Sequence, residues 1–167
     1  MLKTAFKGQE VHIAGNLPEL GEPAPDFTLV RGDLSEASLD QYEGKSKLLN
    51  IFPSLDAGVC ATAFERFNTQ SIERAKEIIL NISMDLPFAQ ARFCQQKELH
   101  DAENLSAFRS NFPDEYGVRI QDGPLKSLCA RAVLVLDEKN IVRYAQLVPE
   151  ITQEPDYRAA LEALRAH

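Results

Sequence analysis

The sequence predicts an α/β fold: a mixed central sheet flanked by helices, with a β-hairpin at the N-terminus. Three observations carry that prediction. The apolar runs KLLNIF (47–52) and EIILNIS (77–83) have the length and continuity of strands buried on both faces. Each is followed by a helically patterned stretch, the alternation expected of parallel strands with crossover helices. Later, ARAVLVL (130–136) and residues 141–148 are joined by the turn Asp137-Glu138-Lys139-Asn140, so an antiparallel pair completes the sheet.

The elements follow in order. Residues 4–14 alternate apolar and polar around Gly8-Gln9 and read as the N-terminal hairpin, contained in residues 1–15. Two prolines turn the chain into a strand at 27–30. Residues 34–42 are polar and loosely periodic, a short helix or loop closed by Gly44. Pro53 ends the 47–52 strand, and PSLDAGVC bridges to a helix over 59–76, where Val59, Ala63, Phe67 and Ile72, with Phe64 beside them, form an apolar stripe. Pro87 stands at the first turn of a second helix, which carries Phe88, Ala91, Arg92 and Cys94. Residues 103–120 hold a short strand near Leu105 and a turn at Phe112-Pro113-Asp114. A last helix begins at Pro155 and turns Tyr157, Leu161 and Leu164 inward. This order satisfies a domain of thioredoxin type, spanning residues 1–167 as one unit.

At 167 residues, a fold buries roughly 70% of the surface its unfolded chain exposes. Hydrophobic residues at 44% and charged residues at 26% exclude a low-complexity or collagen-like chain. Three cysteines are too sparse for a disulfide scaffold. The short apolar runs exclude a spanning helix. The net charge of −7 repels phosphate backbones and argues against a nucleic-acid partner. Without an apolar leader, the expected compartment is the reducing cytoplasm, where cysteines are more often reactive than bridged.

Cys60 sits where a strand and turn feed a helix. Unpaired N–H groups and about half a positive charge at such a terminus favour a thiolate, the nucleophilic form of cysteine. Arg131 interrupts an otherwise apolar strand, and a charge there needs a partner or a pocket. Position alone leaves both residues open: Cys60 as nucleophile or small core residue, Arg131 as thiolate partner or strand-edge salt bridge.

The segments IFPSLDAGVCATAFERFN (51–68), SMDLPFAQARFC (83–94), DGPLKSLCARAVLVLDE (122–138) and QLVPEITQEPDYRAAL (146–161) together resemble the bacterial thiol peroxidases, the atypical two-cysteine peroxiredoxins of the thioredoxin-like superfamily. GNLPELGEPAPDFTLV (15–30) matches the start of that family, so the resemblance spans the chain. By this resemblance Cys60 corresponds to the peroxidatic cysteine and Cys94 to the resolving cysteine. Pro53 corresponds to the proline that shields the thiolate, and Arg131 to the arginine that pairs with thiolate and peroxide. The implied reaction reduces hydrogen peroxide and organic hydroperoxides through a Cys60 sulfenic acid and an intrachain Cys60–Cys94 disulfide, recycled by thioredoxin. It is an antioxidant activity. The resemblance implies a homodimer and no metal, haem or flavin.

One position departs from the family pattern. Ala57 stands three residues before Cys60, where the family has a threonine whose hydroxyl meets the peroxide. Ser54 and Thr62 are the local hydroxyls that could stand in. The departure supports an alternative reading, a low-turnover redox sensor or thioredoxin-interacting module. Cys129, two residues before Arg131, would share its face in a strand and is either an auxiliary thiol or a core residue. The cysteines lie more than thirty residues apart without C-x-x-C spacing, against a zinc site or a thioredoxin-like reductase. His12, His100 and His167 lack a nucleophile partner, and Asp56 and Asp85 suit caps or turns. Leu86, Phe88 and Phe93 are either core residues or an apolar approach to Cys60.

Overall fold

Seven strands in the order β4-β3-β7-β6-β5-β8-β9 form the sheet in a computed structural model, which describes residues 2–70 and 72–166. The strands are β3 Thr28–Val30, β4 Glu36–Ser38, β5 Ser46–Ile51, β6 Glu77–Ser83, β7 Glu103–Ser106, β8 Ala132–Leu136 and β9 Val142–Leu147. β5, β6 and β7 run parallel, and the other pairings are antiparallel, so the mixed sheet expected from sequence is present. β1 Leu2–Phe6 and β2 Gln9–Ile13 form a separate antiparallel hairpin.

Every residue of β5 is buried, because helices cover both faces. Its successive side chains feed opposite clusters. Leu48 packs with Ile79, Val133, Val135 and helix α4 Tyr157–Ala166. Leu49 and Ile51 pack with Leu80, Ile82, Leu105 and the aromatic group Phe27, Phe112 and Tyr116. Each such aliphatic side chain contributes about 1.5–3 kcal/mol. Helix α1 Gly58–Asn68 crosses from β5 to β6, and α2 Pro87–Gln96 crosses from β6 to β7. The site at the start of α1 therefore lies beyond the C-terminal ends of parallel strands, where open α/β sheets place their ligands.

The first helix is shorter than its sequence pattern, ending at Asn68 instead of running to 76. Three consecutive side chains take back its last carbonyls: Asn68 Nδ2 donates to Phe64 O, Thr69 Oγ1 to Glu65 O and Gln70 Nε2 to Arg66 O. Asn68 also exchanges hydrogen bonds with Asn81 of β6, which ties the far end of α1 to the sheet. Ile72 thus leaves the helical stripe and packs from a loop.

Residues 34–42 also differ from expectation. The turn closed by Arg31 and Ser35 returns the chain as β4, and only Leu39–Tyr42 is a 3-10 turn. Phe112–Glu115 extends the expected turn into a helical one, α3. β8 starts at Ala132, so Arg131 immediately precedes the strand. α4 starts after Asp156, whose carboxylate caps it by accepting from Ala159 N–H at 3.0 Å. No helix among the described residues is long and apolar enough to cross a membrane.

The hairpin is fastened over the site. Thr4 Oγ1 donates to Val148 O, Ala5 N–H to Pro149 O and Ile151 N–H to Ala5 O. Val11 and Ile13 pack against Ile120, Ala130 and Ile151. His12 helps the fastening, with Nδ1 2.7 Å from Asp122 Oδ2. His100 is exposed, and His167 lies outside the described residues.

Candidate active site

Cys60 lies in the first turn of α1 and is fully buried from bulk solvent. Arg131 is 1% exposed and places Nη2 3.0 Å from Cys60 Sγ. Its Nε donates to Ile151 O at 2.9 Å, while Nη1 has no hydrogen-bond partner among the described residues. A guanidinium stays charged, and a buried one requires an anion or a full set of acceptors. Among the described residues Arg131 has no carboxylate partner. Among those residues Cys60 Sγ is the one side-chain atom in hydrogen-bond contact with Nη2, and Nη1 points no hydrogen bond elsewhere, so it can donate to an oxygen brought to that sulfur.

Both groups open on a cavity of about 390 Å³, also lined by Pro53, Ser54 and Ala57. Pro53 is buried beside Cys60. The loop carrying it is held by Asp85, which accepts from Ser54 Oγ at 2.7 Å and Leu55 N–H at 2.9 Å. Asp85 thus fills the turn role expected of it, while Asp56 is exposed.

The apolar approach to Cys60 differs from the one expected. Leu86, the N-cap residue of α2, and Phe88 in its first turn stand exposed and do not line the cavity. Phe93 packs edge-on against Phe64, with ring centroids 5.2 Å apart. The apolar walls come from Phe6 of the hairpin, Leu125 and Leu128 of the 121–129 loop, and Ile151. These four are remote from Cys60 in sequence, so only the docking of hairpin and loop identifies them. Phe6 did carry one local signal, its place in the hairpin alternation.

Ala57 is the N-cap of α1 and makes no side-chain cap. Neither neighbouring hydroxyl takes the missing role. Ser54 commits its proton to Asp85. Thr62 is exposed outside the cavity and donates back to Gly58 O. Thr152 does line the cavity, but its hydroxyl donates to Glu150 at 2.8 Å.

Cys60 and Cys94 belong to one small cluster with Phe52, Leu55, Phe64 and Phe93. Both thiols are free. Burial holds the Cys94 thiol above the usual range, opposed by the Asn104 amide, whose Nδ2 lies 2.6 Å from Sγ. Cys129 packs in the separate cluster around Phe27, Tyr116 and Leu134 instead of sharing Arg131's surroundings. Burial pushes its thiol up from 9.0 to about 12. It is therefore the last thiol alkylated by iodoacetamide in native protein, read by peptide mass spectrometry. Because the unfolded thiol ionises first, Cys129 contributes stability fully below about pH 9 and loses it as the pH rises toward 12. A Cys129→Ala variant removes that part of the alkaline slope in urea titrations.

Comparisons with known proteins find relatives that span the chain. Residues 19–161 match the Redoxin family. The chain is 47% identical over 166 residues to the thiol peroxidases of Mycobacterium bovis and Mycobacterium tuberculosis, covering 99% of this chain and 100% of theirs. A peroxiredoxin-like protein from Aquifex aeolicus superposes with a TM-score of 0.92 at 35% identity, over 98% of this chain and 96% of that one.

Proposed function

The chain belongs to the redoxin family, among its bacterial thiol peroxidases, and is a peroxidase and oxidoreductase; on that premise we propose that Cys60 is its peroxidatic cysteine and Cys94 its resolving one. The observation that carries this reading is the buried guanidinium of Arg131, which contacts Cys60 Sγ and keeps Nη1 free beside the cavity. The substrates are hydrogen peroxide and organic hydroperoxides, the latter suited to the apolar walls.

The Cys60 thiolate attacks one peroxide oxygen. An S–O bond forms as the O–O bond breaks, and sulfur gives up two electrons. The departing oxyanion takes a proton and leaves as water or alcohol, while Arg131 stabilises the charge that develops on oxygen. Pro53 excludes water from the thiolate. The Cys94 sulfur then attacks Cys60 Sγ, forming the disulfide and releasing the sulfenic oxygen as water. A thioredoxin dithiol reduces that disulfide by exchange and becomes oxidised itself. Cys60 and Cys94 sit on separate helices, and on this reading the turns carrying them unravel as the disulfide, whose Cα atoms lie within about 7 Å, forms. Amide exchange around both cysteines accordingly rises on oxidation. The chain works as one domain, 1–167, and as a homodimer, which sedimentation of the native protein checks.

Ala57 favours a second reading, a redox sensor oxidised once with little turnover. The two readings separate in an assay with thioredoxin, thioredoxin reductase and NADPH. Sustained NADPH oxidation after addition of cumene hydroperoxide supports the peroxidase, and a single stoichiometric oxidation supports the sensor. Ala57→Thr supplies both a helix cap and a peroxide-facing hydroxyl. It raises unfolding stability by about 1 kcal/mol and turnover by on the order of 10²–10³-fold. Equal turnover in both forms removes the hydroxyl from the mechanism even where stability rises.

A further inference from the structure

The cavity over Cys60 is much larger than hydrogen peroxide requires. A water molecule has about 30 Å³ as its share of liquid, against a cavity of about 390 Å³ walled by Phe6, Leu125, Leu128 and Ile151. The volume left beyond the peroxide oxygens suits an apolar body. Among the described residues, Lys7 is the one charged side chain besides Arg131 that lines this space.

Lys7 occupies an unusual position for its residue type. Phe6 pairs with Gln9, so Lys7 and Gly8 form a two-residue hairpin turn, with φ of 52° and 81°. Such turns favour Asn, Asp or Gly, because a side chain in the left-handed region is strained by about 1–2 kcal/mol. The tip is latched where it stands. Gly8 N–H donates to Glu150 Oε1 at 2.7 Å, and Ala5 exchanges backbone hydrogen bonds with Pro149 and Ile151. Lys7 Nζ lies 5.3 Å from the centroid of the Phe6 ring, a ring that itself lines the cavity. Among the described residues it has no ion-pair partner. Glu150, which latches the tip, engages the N–H groups of Gly8 and Thr152 and the Thr152 hydroxyl.

We propose that Lys7 determines specificity by binding the carboxylate of hydroperoxides whose apolar body ends in one. The hydroperoxide group reaches Cys60 and Arg131, the apolar body lies against Phe6, Leu125, Leu128 and Ile151, and the carboxylate pairs with the Lys7 ammonium. The chemistry at sulfur is unchanged. This inference rests on the peroxidase reading above and adds the charge its organic substrates carry.

The test compares an unsaturated fatty-acid hydroperoxide with its methyl ester in the thioredoxin-coupled assay. The quantity read is the ratio of kcat/KM for acid over ester, which cancels any general loss in a variant. The native ratio is about fivefold in favour of the acid, the upper range for a solvent-accessible ion pair. Lys7→Met brings the ratio to about one, Lys7→Glu takes it below one, and Lys7→Arg retains the preference. At 1 M salt, where the screening length is about 3 Å, the native ratio also falls toward one. A native ratio near one, or a preference that survives Lys7→Met, overturns the assignment. Cumene hydroperoxide, which has no carboxylate, is the separate control: its turnover tests the peroxidase reading itself.

Discussion

Cys60→Ser eliminates peroxide turnover, with a fall of at least about 10³-fold. The substitution leaves the shape of the site almost intact, since Cys60 is wholly buried within the cluster of Phe52, Leu55 and Phe64. What it removes is the chemistry. A serine oxygen is a far poorer nucleophile than a cysteine sulfur, and it has no sulfenic state. Far-UV circular dichroism retains the native spectrum, while the thioredoxin-coupled assay with cumene hydroperoxide falls to background. Turnover within tenfold of the native protein would place the nucleophile elsewhere.

Arg131→Met lowers kcat/KM by about 10²–10³. The guanidinium performs three tasks at once. Nε donates to Ile151 O, Nη2 contacts Cys60 Sγ at 3.0 Å, and Nη1 remains for an incoming oxygen. Methionine fills a similar volume but supplies neither the counter-charge nor the donors. Stability changes less than activity. The Ile151 carbonyl loses its donor, at a cost of about 1–3 kcal/mol, but a costly buried charge disappears as well. Arg131→Lys is the informative partner. It restores the charge but not the planar fork, and an ammonium does not reach three partners in that geometry. The lysine form therefore recovers only part of the loss, and iodoacetamide alkylation of Cys60 ranks native, lysine and methionine forms in that order. Equal activity in the native and methionine forms would remove Arg131 from the mechanism.

Much of this arrangement was legible in the chain because local signals agreed with the fold. The buried strands announced themselves as unbroken apolar runs at 47–52 and 77–83, matching β5 and β6 closely. Pro87 marked the start of α2, and Tyr157, Leu161 and Leu164 marked the inner face of α4. Arg131 was conspicuous as a charge in an apolar strand, and its contact with Cys60 follows from β8 lying directly beside β5. Helix length was less legible. The stripe through Ile72 continued past the point where Asn68, Thr69 and Gln70 turn their side chains onto the last carbonyls, a competition that periodicity does not register. β4 was hidden because its three residues, Glu36, Ala37 and Ser38, are too short and polar to alternate visibly.

The walls of the cavity were hidden for another reason. Phe6, Leu125, Leu128 and Ile151 come from three distant segments, and their meeting depends on the hairpin docking against Pro149 and Ile151. Leu86 and Phe88 read from sequence as core or as an apolar approach to Cys60, but at the start of α2 both stand exposed. A similar limit applied to Cys129. Two residues of separation suggested a face shared with Arg131, yet the strand begins only at Ala132, and Cys129 packs into the cluster of Phe27, Tyr116 and Leu134.

The assignment of Cys60 is tested most directly by trapping its oxidised form. In the Cys94→Ser variant no thiol remains in the shared cluster to condense with a sulfenic acid on Cys60. One equivalent of cumene hydroperoxide is added in the presence of a 1,3-diketone that labels sulfenic acids, and the labelled peptides are read by mass spectrometry. Label on Cys60 alone, with one alcohol formed per chain, is the expected result. Label on Cys129, or consumption of peroxide with no label on Cys60, would contradict it.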